Sequence, residues 1–471
     1  MTTDTPSATT DTPSASRANM RRVAISSYLG TTLEYYDFML FGTAAALVFN
    51  KIFFTDLPPV LGTILSLGTL AAGYVARFLG AIIFGHLGDK RGRKKILLVT
   101  LCVMGVSSGL IGCLPDYGQI GVAAPIVLVV LRLIQGFAIG GEFGGAVLMT
   151  SEHATSKRRG LASSAAAMGG PSGALLAMVV MLPVAAMPED DLLSWGWRVP
   201  FLASFAFLAV ALYFRLRITE SPVFLMEKND LDKTNPLQEL WRVHRAPLVK
   251  SILFQVGAYT GQGVFGVFII SYAPTIGYAR STALTAVLTG TAIAIVLTPF
   301  YAMISDRFGR RPVLGVGIAA AAVMAYPVFA LVNMQNSTIF IVAVSFYTVF
   351  VLAPVTSVAP VYLTELFPTR MRYTGVSTSY QLAQILGAGL APVTAASLIA
   401  ASGGGKDTGL VALYVVVLCL IGLVALAMSR EQRGSLVSDS VGSVADPEPP
   451  TPSPAGRASI KQSSVVASSE Q

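Results

Sequence analysis

Long apolar runs recur along this chain, and they limit its fold more than any other feature. Stretches of roughly 20 residues or more, enough to cross a hydrocarbon core of about 30 Å, lie at about 24–49, 60–87, 96–115, 121–150, 161–187, 195–216, 247–275, 282–304, 313–333, 338–364, 374–401 and 409–429. A large soluble enzyme with buried helices would need more charge. Charged residues are 12% of the 471 and hydrophobic residues 53%, whereas a soluble domain carries about 25% charged residues. Transmembrane barrel strands alternate apolar and polar over about 10 residues, a different pattern. The expected class is all-α: a polytopic membrane protein with twelve transmembrane helices.

Charge placement orients the chain. With the N-terminus inside, the inner connections hold Lys90, Arg91, Arg93, Lys94 and Lys95, then Lys157, Arg158 and Arg159. Arg307, Arg310, Arg311, Arg370 and Arg372 follow on the same side, with a basic central loop from Arg215 to Lys250. Outer loops hold only Lys51, Arg198, Arg280 and Lys406. This is the positive-inside pattern, and it accounts for the formal charge of +8 without nucleic acid. It predicts a multi-pass cell-membrane protein (plasma or inner membrane) with both termini cytoplasmic. The expected organisation is a disordered tail 1–22, a six-helix bundle 23–216, a cytoplasmic central loop 217–246, a second six-helix bundle 247–429 and a disordered Ser/Pro-rich tail 430–471. The opening residues have no apolar core of the kind a cleaved signal peptide needs. Cys102, Cys113 and Cys419, and His86, His153 and His244, show no metal-ligand spacing. With no Walker loop and no nucleophile elbow, an ATP-driven pump or a membrane hydrolase lacks its chemistry, and no enzyme is expected.

One charged loop occurs twice. Asp89-Lys90-Arg91-Gly92-Arg93-Lys94 matches Asp306-Arg307-Phe308-Gly309-Arg310-Arg311, each after the second span of its half. A weaker echo links Glu152…Arg158-Arg159-Gly160 with Glu365…Arg370-Met371-Arg372…Gly375, each after a fourth span. Two six-span halves in parallel repeat are the arrangement of a two-bundle transporter with its site between the halves.

At these residues the chain resembles the major facilitator superfamily, whose signature loop corresponds to Gly85, Asp89, Lys90, Gly92, Arg93 and Lys94. More narrowly it resembles the metabolite:proton symporter family, which includes carriers for proline/betaine, shikimate, α-ketoglutarate and citrate. The supporting stretches are GTTLEYYDFMLFG (30–42), ARFLGAIIFGHLGDKRGRKK (76–95), RLIQGFAIGGEFGGA (132–146), GWRVPFL (196–202) and ESPVF (220–224). The resemblance implies a monomeric secondary transporter that moves a small molecule with protons, using the proton gradient and no cofactor.

The signature loop has a physical reading as a latch. Asp89 can pair with nearby bases or cap a neighbouring helix's N-terminal amides; Gly92 permits a tight reversal and Gly85 a close helix approach. The alternative is a topogenic basic loop, but orientation alone requires neither the acid nor the glycine.

Ionisable residues inside a membrane are functional candidates by default. Glu34 and Asp37 are three apart on one helical face, and Asp37 lies near mid-depth. Arg132 in the fourth span reaches a comparable depth, with Gln135 and Glu142 following on one face. In the superfamily's fold the first and fourth spans line the cavity, so Asp37 is expected to pair with Arg132 and Glu34 to approach Glu142. Either a proton-coupling group or a static ion pair fits that expectation. Arg132 could equally bind a substrate carboxylate bidentately. Arg77, in the second span, reads as a base that snorkels or pairs structurally rather than one that binds substrate.

The second half offers polar stripes: Gln255, Tyr259 and Gln262 on the seventh span, and Ser377, Tyr380, Gln381 and Gln384 on the eleventh. They serve as interhelical glue or, with Tyr35 and Tyr36, as cavity lining. The fifth span's AMGGPSGALLA (167–177) is reminiscent of the superfamily's antiporter motif, or marks close helix contact. Proton-coupled uptake of a carboxylate-bearing metabolite is the leading expectation. Osmolyte uptake, an exporter, an uncoupled facilitator and a sensor-like membrane protein are the alternatives.

Overall fold

The computed structural model describes residues 13–55, 59–221, 223–225, 236–403 and 405–429. The membrane helices of the first half are α1 (Pro13–Ala44), α2 (Pro59–Arg91), α3 (Arg93–Gly112), α4 (Ala123–His153), α5 (Arg159–Ala185) and α6 (Arg198–Leu216). Those of the second half are α7 (Arg245–Thr275), α8 (Arg280–Phe308), α9 (Arg310–Val332), α10 (Ser337–Leu366), α11 (Arg372–Gln384, continuing to Ala401) and α12 (Gly409–Ala427). Ten of these are long and apolar enough by length and composition to cross a membrane. The other two, α1 and α2, have 32 and 33 residues and carry the buried Glu34, Asp37 and Arg77, completing twelve.

Two boundaries differ from expectation. Residues 13–22, read as tail, form the first turns of α1. Pro13 opens that helix, at a position where its missing N–H costs nothing and its fixed φ suits a helix start. Within the stretch read as a central loop, Pro236–Arg242 is a short helix whose Glu239 meets Arg370 at 2.6 Å, and α7 starts at Arg245. The tails 1–12 and 430–471 and the central residues 226–235 lie outside the described residues.

The two signature loops have the same backbone. Gly92 and Gly309 separate α2 from α3 and α8 from α9 at φ +102° and +103°, a region L side chains rarely enter. Each reversal thus takes one residue. The first half packs around Leu40, Phe41, Phe49, Trp197 and Phe201. The second half's core includes Phe265, Phe329, Tyr347 and Tyr362, joined by Phe143, Ala146, Val147 and Ala166 from the first. Wide π-helical turns interrupt α7, α10 and α11 at Gly263–Phe268, Tyr347–Leu352 and Ile385–Gly389; such turns mark functional helices more often than chance.

The fifth-span motif has a packing explanation. A Cβ at Gly169 would meet Thr31 Cβ at 2.7 Å, and one at Gly173 would meet Tyr36 N at 2.8 Å. The glycines let α5 lie directly on α1. The two halves meet through α2, α4 and α5 on one side and α8, α10 and α11 on the other.

Candidate functional site

The basic face of the bundle is held shut by two carboxylates that cross between the halves. Asp89, at the end of α2, accepts hydrogen bonds from Tyr373 N (3.0 Å), Thr374 N (2.8 Å) and Thr374 Oγ1 (2.9 Å), capping the start of α11. Asp306, at the end of α8, accepts from Gly160 N and Leu161 N, both 2.9 Å, capping the start of α5. Each anion sits at the positive end of a helix in the opposite half.

Behind each cap lies a buried ionic cluster. In the first, Arg93 joins Glu152 and stands 3.9 Å from Asp89, and Glu152 also receives Arg372 Nη1 at 3.0 Å from the other half. In the second, Arg310 meets Asp306 at 2.7 Å and Glu365 at 3.3 Å, with Arg159 in electrostatic reach of Glu365. Glu220 caps α3 by accepting from Arg93 N (3.1 Å) and Lys94 N (3.2 Å). Lys94 Nζ and Arg311 Nη2 bond the ends of α6 and α12 at Leu216 O and Ala427 O. Lys90 is half-buried and Arg307 exposed.

From this face the seam between the halves stays closed inward. A Cβ at Gly85 would meet Thr374 Cα at 2.8 Å. Further in, Phe143 stacks on Tyr380 at 4.1 Å, and the Tyr35 and Tyr380 hydroxyls hydrogen-bond at 2.9 Å. Gln384 Nε2 donates to Tyr380 Oη at 2.8 Å, and the Tyr259 ring lies edge-on to Tyr380 at 5.8 Å.

Next to this aromatic junction is a buried ion pair, Glu34 with Arg77. Arg77 is also in electrostatic reach of Tyr35 and Tyr380, so its charge faces the seam. Of its two readings, snorkelling is corrected, while the ion pair is the structural pairing that was the other: Arg77 points inward, to Glu34. The expected Asp37–Arg132 pairing is corrected in part: the two are in electrostatic reach of each other but are bridged by other side chains. Asp37 accepts from Ser108 Oγ (2.5 Å) and Ser204 Oγ (2.8 Å). Gln135 Nε2 donates to Ser108 (2.5 Å), and Arg132 Nη1 donates to Gln135 Oε1 (2.6 Å). Asp37 and Arg132 are thus the ends of a four-residue relay inside the first half. Arg132 lies over the Phe41 ring at 4.2 Å and against Gly73, away from the seam. Glu142 is within electrostatic reach of Glu34 but pairs with Arg215 and accepts from Thr100 at 2.9 Å.

The remaining candidates divide by location. Tyr36 is buried in the first half, its hydroxyl on Pro200 O at 2.8 Å, so it does not line the seam. Gln135 serves the relay, for the same reason. Tyr35, Gln262 and Gln384 are half-buried, while Gln255, Tyr259, Tyr380 and Gln381 are buried. Gln255 donates to Ser251 O at 2.7 Å, leaving its Oε1 without a partner; Gln381 Nε2, Gln262 Oε1 and Glu34 Oε2 are likewise unpaired. Unpaired buried polar atoms are costly, and here three of them belong to the two polar stripes of the second half and the fourth to Glu34 on α1.

Sequence reasoning missed Arg215, Ser108 and Ser204. Arg215 ends the sixth span and looked like one more topogenic base, yet it is fully buried on Glu142. Gly30 is the signal that was available: a Cβ there would strike both members of that pair.

Twin gates at one face and buried charge at mid-depth are the parts of an alternating-access carrier, and sequence comparison agrees. Residues 23–237 match the family "Sugar (and other) transporter" and residues 251–468 match "Major Facilitator Superfamily". The chain is 36% identical to the shikimate transporter of Escherichia coli K12 over 428 residues, covering 89% of this chain and 96% of that one. It belongs to the major facilitator superfamily, in the metabolite:proton symporter family. The E. coli inner membrane metabolite transport protein YhjE is 35% identical over 88% of this chain and 94% of its own length, and the E. coli proline/betaine transporter 30% identical over 88% and 84%. The proton:xylose symporter XylE bound to 6-bromo-6-deoxy-D-glucose superimposes with a TM-score of 0.71 at 18% identity, covering 89% of this chain and 98% of that one. This major facilitator protein is a multi-pass membrane transporter and not an enzyme.

Proposed function

We propose that this transporter takes up a small carboxylate-bearing metabolite together with a proton, working as a monomer with its basic face in the cytoplasm. The Glu34–Arg77 pair carries this reading. When Glu34 is ionised it occupies the guanidinium. A proton on Glu34 frees Arg77, whose planar fork then suits a carboxylate bidentately. The empty site and the fully loaded site both have balanced charge. Loading the anion alone, or the proton alone, leaves a buried charge without compensation, which costs several kcal/mol. Only the balanced states can reorient cheaply, and that couples the two fluxes. Tyr35, Tyr380 and Gln384 supply hydrogen bonds, and Tyr259 and Phe143 aromatic faces.

Similarity to the shikimate transporter favours a hydroxylated acid. The tyrosine cluster also fits a quaternary ammonium by cation–π attraction, which keeps a betaine as the second reading. Purified protein in liposomes with an alkaline lumen should concentrate labelled shikimate or α-ketoglutarate, and a protonophore should abolish the accumulation. Accumulation of glycine betaine alone would move the assignment to the osmolyte. Equal filling with and without the gradient would make the protein a facilitator.

Orientation has its own test. Single cysteines beside Asp190 or Lys406 should react with an impermeant maleimide in intact cells, and one beside Asp230 should react only after lysis. Labelling at Asp230 in sealed cells contradicts the orientation.

A further inference from the structure

The carboxylate caps are a symmetric pair, but the ring buried between them is not. Arg159-Gly160-Leu161 opens α5 and Arg372-Tyr373-Thr374 opens α11, so the residue matching Tyr373 is Gly160. Tyr373 is fully buried, and its hydroxyl donates to Gly141 O at 2.6 Å, in α4 of the opposite half. A Cβ at Gly88 would strike the Tyr373 ring, and one at Gly145 its hydroxyl. These glycines form a slot in the first half. The matching positions in the second half hold Ser305 and Val358, so only one half has a slot. Tyr373 is in electrostatic reach of both the Glu142–Arg215 and the Asp89–Arg93 pairs.

We infer that Tyr373 is the plug of the basic-face gate: its ring fills the Gly88–Gly145 slot and bars the way from the Glu142–Arg215 pair to that face, and transport requires it to leave the slot. The carboxylate caps hold α11 against α2 and α5 against α8, while the plug seals the gap between α2 and α4. Because the fit depends on absent side-chain atoms, filling the slot should hold the gate open, and trimming the plug should then let it close.

The test uses the full chain with Cys102, Cys113 and Cys419 changed to Ser and Ser377→Cys as reporter. Ser377 is buried at the seam against Gly144, and its maleimide labelling rate reads gate opening. Gly145→Ala should raise that rate about tenfold or more. Adding Tyr373→Phe removes the atom closest to the new methyl, while Leu97 Cδ2 at 2.6 Å and Tyr373 Cζ at 2.8 Å still border it, so the double variant should label several-fold more slowly than Gly145→Ala alone. A double variant that labels as fast as Gly145→Ala, or a Gly145→Ala protein that labels as slowly as the parent, overturns the plug. If Gly145→Ala fails to reach the membrane, Tyr373→Ala decides: fast labelling supports the plug, and parental labelling refutes it. A purely structural role for Tyr373 would make the two substitutions additive in damage, with no rescue.

Discussion

Asp89→Asn should insert normally and transport at a few per cent of the wild-type rate or less. The substitution removes no apolar area, so insertion has no reason to change. It does remove the charge that accepts three hydrogen bonds at the start of α11, and it turns one acceptor atom into a donor facing donors. Hydrogen bonds to a charged group contribute about 1.5–3 kcal/mol each and the helix terminus up to about 2 kcal/mol more. A loss on the order of 3 kcal/mol changes the closed-to-open ratio at the basic face by about 100-fold. Asp306→Asn, which weakens two amide contacts at the start of α5 and the 2.7 Å pair with Arg310, should shift the same equilibrium in the same direction. Uptake by membranes of matched expression checks both. Wild-type uptake by Asp89→Asn would leave the loop with an orienting role only.

Arg77→Ala should be the most damaging single change at the substrate site. It leaves Glu34 as a buried carboxylate without its partner, a state that costs about 3–5 kcal/mol. The carboxylate of the substrate would also lose its counter-charge. Uptake and counterflow should both fall about 100-fold or more. Arg77→Lys keeps the charge but not the planar fork and should lose affinity more than expression. Arg77→Ala combined with Glu34→Gln should restore folding yield without restoring transport, which separates the structural cost of the lone acid from the binding role of the base. Arg132→Lys, away from the seam, should leave substrate affinity within a few-fold; a loss as large as that of Arg77→Lys would return the binding role to Arg132.

The twelve spans were legible because a bilayer sets the length of every helix, and a chain with so few charges has no other way to be soluble in its solvent. The latch was legible for a different reason: an acid and a glycine, repeated at matching places, exceed what orientation needs. Which buried charges pair was not legible. Spacing along α1 put Glu34 and Asp37 on one face at nearly one depth, but the azimuth of α1 against α2, α3 and α4 decides the partners, and only packing sets that angle. Asp37 went to two serines with no signal of their own, and Arg132 went to the glutamine one turn away. Arg215 was hidden by the positive-inside pattern, since a base at the end of a span satisfies that pattern whether it faces water or Glu142. Tyr373 went unremarked because an aromatic beside a basic loop is ordinary until the glycines opposite it are seen to form its slot.

The coupling of proton and substrate through Glu34 is the central claim, and one paired measurement tests it most directly. In liposomes, Glu34→Gln should lose accumulation driven by a pH gradient while exchange of labelled for unlabelled substrate continues, because the amide leaves Arg77 permanently free and carries no proton. Asp37→Asn, measured alongside, should keep accumulation in proportion to its exchange rate, since its relay does not touch the seam. Accumulation by Glu34→Gln at the wild-type level would contradict the account, and its loss in Asp37→Asn with exchange intact would move the proton to the relay.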